Sequence, residues 1–99
     1  MPRKRRFSSQ PFGPTIQRLM AERDVTYRGL ADETGLSAGY LNHLVHGNRP
    51  VPSDDVIATL ARALGVDADH FQEVRIRRIS EHLERMPGLI DRLYRRLGA

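Results

Sequence analysis

Cysteine is absent from the 99 residues, which excludes a disulfide framework and any thiolate metal site. Long apolar runs are absent too. None approaches the roughly 20 residues that a membrane span requires. The basic opening MPRKRRFSSQPFG has no apolar stretch behind it and does not read as a secretory signal. There is no glycine-rich phosphate loop, no nucleophile motif and no carboxylate pair with a plausible pocket. His43 and His46 stand three residues apart, but no further ligand lies near them in sequence, so neither a metal nor another cofactor is expected. A hydrophobic content of 39 % supplies a modest helical core rather than the deep interior pocket of an enzyme. These absences point to one non-enzymatic domain in the cytoplasm.

Charge is present but unevenly placed. The net charge is +4. Residues 1–13 carry Arg3, Lys4, Arg5 and Arg6 and no acid, residues 14–71 carry five arginines against eight acids, and residues 72–99 carry seven arginines against four acids. A basic chain favours a polyanionic partner. Here the middle is slightly acidic, so attraction to phosphate must come from a local cluster or from the two ends.

The most informative stretch is Arg28 to Gly47, RGLADETGLSAGYLNHLVHG. Leu30 and Ala31 end an apolar stripe. Gly35 supplies the positive φ of a tight turn, Leu36 plugs it, and Ser37 can cap a following helix. Leu41, Leu44 and Val45 recur at helical spacing. The small Ala31 permits a close helix crossing. Two short helices joined in this way form a helix-turn-helix unit, whose second helix is suited to a major groove. Its outward face would be Ala38, Gly39, Asn42, His43 and His46. Asn42 can hydrogen-bond adenine, His43 can donate to a guanine acceptor, and Ala38 can touch a thymine methyl.

The remaining segments frame this unit. Residues 1–13 show no periodicity and are expected to form a flexible basic arm, which either lies along phosphates or enters a minor groove, or serves as a solubilising basic tail. Gly13 as cap and Pro14 in the first turn predict a helix from Pro14 to about Asp24, burying Ile16, Leu19 and Met20. Thr26 is the expected cap of the next helix, which Gly29 weakens. After Gly47, Asn48 and Arg49 project at the helix end, where a phosphate would lie, and two prolines stiffen the loop. Ser53 caps a helix with the stripe Val56, Ile57, Leu60, Ala61 and Leu64, closed by Gly65. Asp67 or Asp69 is expected to cap the next helix, with Phe71 anchored in the core. Two amphipathic helices follow, separated at Met86-Pro87. Their stripes are Ile76, Ile79, Leu83 and Met86, then Leu89, Ile90, Leu93, Tyr94 and Leu97. They either fold back or pair with a second subunit.

The block from Ile16 to Phe71 resembles the lambda-repressor-like, or XRE, helix-turn-helix family of bacterial and phage regulators. The matching residues are Leu30-Ala31, Gly35-Leu36-Ser37, Tyr40-Leu41, Leu44, Gly47-Asn48-Arg49, Pro52-Ser53 and the run from Leu60 to Val66. The resemblance implies a five-helix domain with its third helix in the major groove. It assigns base reading to Ser37, Ala38, Gly39 and His43, with Asn42 beside them. It implies a phosphate contact near Tyr27, where the family often has Gln, and either a phosphate contact or packing on helix two for Tyr40. The family often has Glu where this chain has Val45. The tail after Phe71 is similar to extensions in actinobacterial members.

The fold class expected is therefore all-α: a five-helix lambda-repressor-like domain at residues 14–73, and a C-terminal helical extension at 74–99 as a dimerisation element. The function expected is sequence-specific binding of double-stranded DNA by a nucleoid-associated homodimeric transcriptional regulator. Phosphates would be held by Tyr27, Arg28, Tyr40, His46, Asn48, Arg49 and the arm. The alternative is a protein-interaction module, such as an antitoxin or adaptor acting through its C-terminal helices.

Overall fold

Local capping chemistry sets most of the helix boundaries. The computed structural model describes residues 6–98. It contains six α-helices and one short 3₁₀ turn, and no strand among the described residues, in agreement with the all-α expectation. The elements are α1 (Phe12–Arg23), α2 (Tyr27–Thr34), α3 (Ala38–Val45), α4 (Asp54–Ala63), the 3₁₀ turn Ala68–His70, α5 (Gln72–Glu84) and α6 (Pro87–Arg96). Thr26 Oγ1 accepts from Gly29 N–H at 3.0 Å, Ser37 Oγ from Tyr40 N–H at 3.0 Å, and Ser53 Oγ from Val56 N–H at 3.4 Å. Each satisfies a donor that the helix leaves unpaired. Gly35 closes α2 at φ 76°, and its N–H donates to Ala31 O at 2.9 Å. That left-handed geometry suits a residue without Cβ.

Two expected helix starts need correction. Helix α1 begins at Phe12, not Pro14, so Gly13 lies inside it and not at its cap. The carboxylate of Glu73, on α5, accepts from Phe12 N–H at 3.0 Å. An acid so far along the chain satisfies the first turn, which no local residue revealed. Nor does Asp67 or Asp69 cap α5: Phe71 occupies that position without a side-chain cap bond. Phe71 is buried, with its ring centroid 5.1 Å from that of Phe12. Driving this ring into the core forces the chain through the 3₁₀ turn before α5 starts. Asp69 instead turns a carboxylate oxygen to within 3.9 Å of Arg78.

The core joins Phe12, Ile16 and Leu19 of α1 to Leu30, Leu41, Leu44, Ile57, Leu60, Leu64, Phe71 and Val74. Full burial of such a side chain contributes about 1.5–3 kcal/mol. On α5 only Val74 is buried, and α6 buries none of its residues. Helix α5 runs unbroken through residues 73 and 74, so the last helix of the domain is also the first helix of the extension. Pro87 opens α6 after Met86 leaves helical geometry at ψ 70°.

The chain ahead of α1 is fastened down as far back as Arg6, contrary to a free arm through Gly13. Ser8 is buried, and its N–H donates to His70 O at 2.8 Å. Its hydroxyl lies 2.7 Å from Thr15 Oγ1. Arg75 donates to the carbonyls of Ser8, Asp69 and His70, and its guanidinium sits 4.5 Å above the centre of the Phe7 ring. These bonds satisfy backbone groups that would otherwise be buried without partners.

His70 is the polar centre of this strap. It is buried, and its Nδ1–H donates to Arg6 O at 3.0 Å. That leaves Nε2 to accept from Arg18 Nη2 at 3.3 Å. The bond from Arg18 requires the neutral ring, since a protonated Nε2 cannot accept. Burial lowers its pKa from the usual 6.5, and the charges of Arg6, Arg18 and Arg75 act in the same direction, against the raising effect of the Arg6 carbonyl. The unfolded chain therefore takes up the proton first as pH falls. This contribution to stability is complete above about pH 6.5 and is lost progressively below it. Urea unfolding at about pH 7.5 and 5.5 should show a larger loss for the wild type than for His70→Gln, whose amide can donate and accept without titrating. Equal losses would assign the acid sensitivity to other groups.

Candidate nucleic-acid interface

Helix α3 buries Leu41, Leu44 and Val45 and turns its other side outward. Ser37, Ala38, Gly39, Asn42 and His43 are all exposed. The five residues assigned to base reading thus share one free surface. A Cβ built on Gly39 meets nothing within 4 Å, so the chain's own packing does not require glycine there. The bare backbone leaves room for an outside surface to approach closely.

Both ends of α3 are fixed. The Ser37 cap holds the first turn. At the other end Asn48 N–H donates to His43 O at 2.9 Å, around Gly47 at φ 73°. Such a closure satisfies the last carbonyls of a helix. It leaves Asn48 and Arg49 exposed beside the helix end. Arg28, in the first turn of α2, is exposed as well. Neither Arg28 nor Arg49 forms an ion pair among the described residues.

The other assigned residues are placed less simply. Tyr27 and Tyr40 are half-buried, with their rings packed against the edge of the core. His46 is exposed, and its Nδ1 lies 2.8 Å from Asn42 O. The carbonyl can only accept, so Nδ1 carries hydrogen and a neutral ring presents Nε2 as an acceptor. Of the arm, Arg3, Lys4 and Arg5 lie outside the described residues. Arg6 is engaged with Glu22 on α1 at 3.3 Å.

Two glycines acquire specific roles. Gly29 gives way to the Thr26 cap: a Cβ there would stand 3.3 Å from Thr26 Oγ1. The small residue therefore serves its own helix end and not a second helix. Gly13 is the residue that sequence reasoning misplaced. A Cβ on it would collide with Val45 O and come within 3.1 Å of Leu44 O. The first turn of α1 therefore rests directly on the last turn of α3. The signal in the sequence was a glycine just inside a helix, adjacent to a buried aromatic, but nothing local named its partner.

The model of the family described as helix-turn-helix domain matches residues 11–74. The chain belongs to the helix-turn-helix domain family. Among solved structures, it is similar to the master regulator for biofilm formation SinR, in complex with DNA, with a TM-score of 0.54 and 21 % identity over 57 % of this chain and 89 % of that one. At that identity the likeness is one of fold. It is also similar to the clp gene regulator ClgR from Corynebacterium glutamicum, with a TM-score of 0.54 and 28 % identity over 74 % of this chain and 82 % of that one. No curated protein matches the sequence. No helix among the described residues is long and apolar enough to cross a membrane.

Because α1 and α3 meet backbone to backbone at Gly13, one added methyl has nowhere to go. Overpacking of this kind costs about 1–3 kcal/mol, set against at most about 1 kcal/mol of gained helix propensity. Gly13→Ala should lower the unfolding free energy in a urea titration. A variant as stable as the wild type would mean that α1 and α3 separate without strain.

Proposed function

We propose that this protein is a transcriptional regulator that binds double-stranded DNA sequence-specifically as a homodimer. One observation carries the reading: α3 is capped at both ends, seated on the core by three apolar residues, and presents Ser37, Ala38, Gly39, Asn42 and His43 together on an open face. The family membership, the DNA in the SinR structure and the regulatory role in the ClgR name support it. In this reading Asn42 and His43 read base edges, while the bare start of α3 lets the helix sit deep in the groove. Arg28, Asn48 and Arg49 bind phosphates and fix the register. Tyr27, Tyr40 and His46 add phosphate contacts at the margin, and the basic residues Arg3, Lys4 and Arg5 extend them.

The C-terminal helices supply the second subunit. Ile76, Ile79, Met86, Ile90, Leu93, Tyr94 and Leu97 are exposed, Leu97 by 81 %. Together they leave an uncovered apolar stripe along α5 and α6, the kind of surface that an interface between subunits buries. A second copy offers the same apolar stripe flanked by arginines and the acids Glu81, Glu84 and Asp91. Two-fold pairing would set two α3 helices for half-sites about one turn, roughly 34 Å, apart.

Selection from a random duplex library at two salt concentrations tests this reading. An inverted repeat with one-turn spacing, surviving the higher salt, is the expected outcome, with His43→Ala relaxing the preference at one position of each half-site. Enrichment without a motif would reduce the contact to electrostatics and move attention to a protein partner for α5 and α6.

Placing a carboxylate on the exposed stripe should separate the subunits. Leu93→Asp is expected to sediment as a single chain and to bind the inverted repeat on the order of a hundredfold more weakly than the wild type. An unchanged mass would exclude α6 from the dimer interface.

A further inference from the structure

The segment between α3 and α4 cannot hold its own shape. Pro50 and Pro52 have no N–H to give, and no backbone N–H of residues 49–53 donates to a backbone carbonyl among the described residues. The N–H groups of Arg49, Val51 and Ser53 thus brace nothing in the backbone, and the carbonyls of Val51 and Pro52 look elsewhere for donors. They are met from outside, by one side chain of α5. Arg77 Nη1 donates to Pro52 O at 2.9 Å and to Asp54 Oδ1 at 2.7 Å, while Nη2 reaches Val51 O at 3.5 Å. A guanidinium is suited to this work, since its donors diverge from a rigid plane and can meet several oxygens together.

The Arg77–Asp54 pair is half-exposed on both sides, at 35 % and 49 %. Exposed ion pairs contribute little by themselves. The geometry matters more. The three oxygens bracket the end of the proline segment, just after Asn48 and Arg49. Arg49 has no partner of its own among the described residues. It lies between the turn at Gly47 on one side and the carbonyls held by Arg77 on the other.

Building on the DNA-binding reading above, we propose that Arg77 is a positioning residue for phosphate contact: its guanidinium fixes the path of residues 50–54 and thereby the place of Asn48 and Arg49 on the DNA backbone. Arg77 does not itself touch DNA. It also neighbours Ile76 on α5, so the helix that carries the apolar stripe is the helix that holds the loop. Packing of two subunits through α5 would thus stiffen the phosphate-binding loop of each.

The test uses the full chain and a duplex carrying the site selected from the library. Arg77→Ala should weaken binding about tenfold and lower the salt slope by up to about one unit, as expected for one lost phosphate contact. In an Arg49→Ala background the same change should have almost no further effect, because both act through one contact. Arg77→Lys keeps the charge but loses the fork, and should resemble Ala. In the free protein, the amide resonances of Asn48 and Arg49 should shift in both variants while thermal melting stays close to that of the wild type. A slope that falls by a second unit in the double variant would make Arg77 a direct phosphate ligand and overturn the proposal. Rescue by Lys, or unmoved Asn48 and Arg49 resonances, would overturn it as well. A wild-type chain that binds no duplex would remove the DNA reading and this inference together. A wild type that binds alongside an Arg77→Ala variant of equal affinity would remove this inference alone.

Discussion

The backbone of Gly13 rests against the carbonyl oxygens of Leu44 and Val45, and the placement of α3 depends on that contact. Helices usually meet through side chains at 8–10 Å between axes. Here one helix reaches the end of another with no side chain between them. The contact joins the start of α1 to the turn that precedes Gly47. The Ser37 cap fixes the other end of the same helix, and the buried Leu41 seats its middle. An element of eight residues is too short to be stable alone. Its geometry is borrowed from the core and from α1.

A second set of constraints ties the two ends of the domain together. Glu73 satisfies the first turn of α1, and Arg75 binds the carbonyl of Ser8. Between them, His70 holds the carbonyl of Arg6 and the guanidinium of Arg18. Every one of these bonds runs from the start of α5, or the turn before it, back to the N-terminal segment or α1. Together with Arg77 on the α3–α4 loop, they give α5 a part in both the fold and the candidate interface. The exposed half of α5 and all of α6 remain apolar on one side and arginine-rich on the other, the pattern of helices with a partner still to meet.

Charge follows the same division. The central segment, residues 14–71, holds more acids than bases. In the proposed reading, attraction to a polyanion is left to a few placed cations, Arg28 and Arg49 among them, and to the two basic ends. Phosphate contacts made one by one depend on position. In that reading, a segment without backbone hydrogen bonds of its own is served by the clamp from α5.

The sequence by itself determined the all-α class, the helix-turn-helix unit and the outward set Ala38, Gly39, Asn42, His43 and His46. Those features rest on interactions that close within three or four residues. Thr26, Ser37 and Ser53 cap their own helices, Gly35 and Gly47 turn at positive φ, and the apolar stripes repeat with the helical period. The start of α1, the fastened N-terminal segment, the contact beneath α3 and the clamp on its following loop were decided only by the tertiary structure. Glu73 and Phe12 are 61 residues apart, Arg75 and Ser8 are 67 apart, and Arg77 and Pro52 are 25 apart. Gly13 and Val45 meet across a similar gap. A glycine, an acid or an arginine read in isolation carries no record of its partner. Which donor meets which carbonyl becomes fixed only when burial of Phe12 and Phe71 brings the distant segments together.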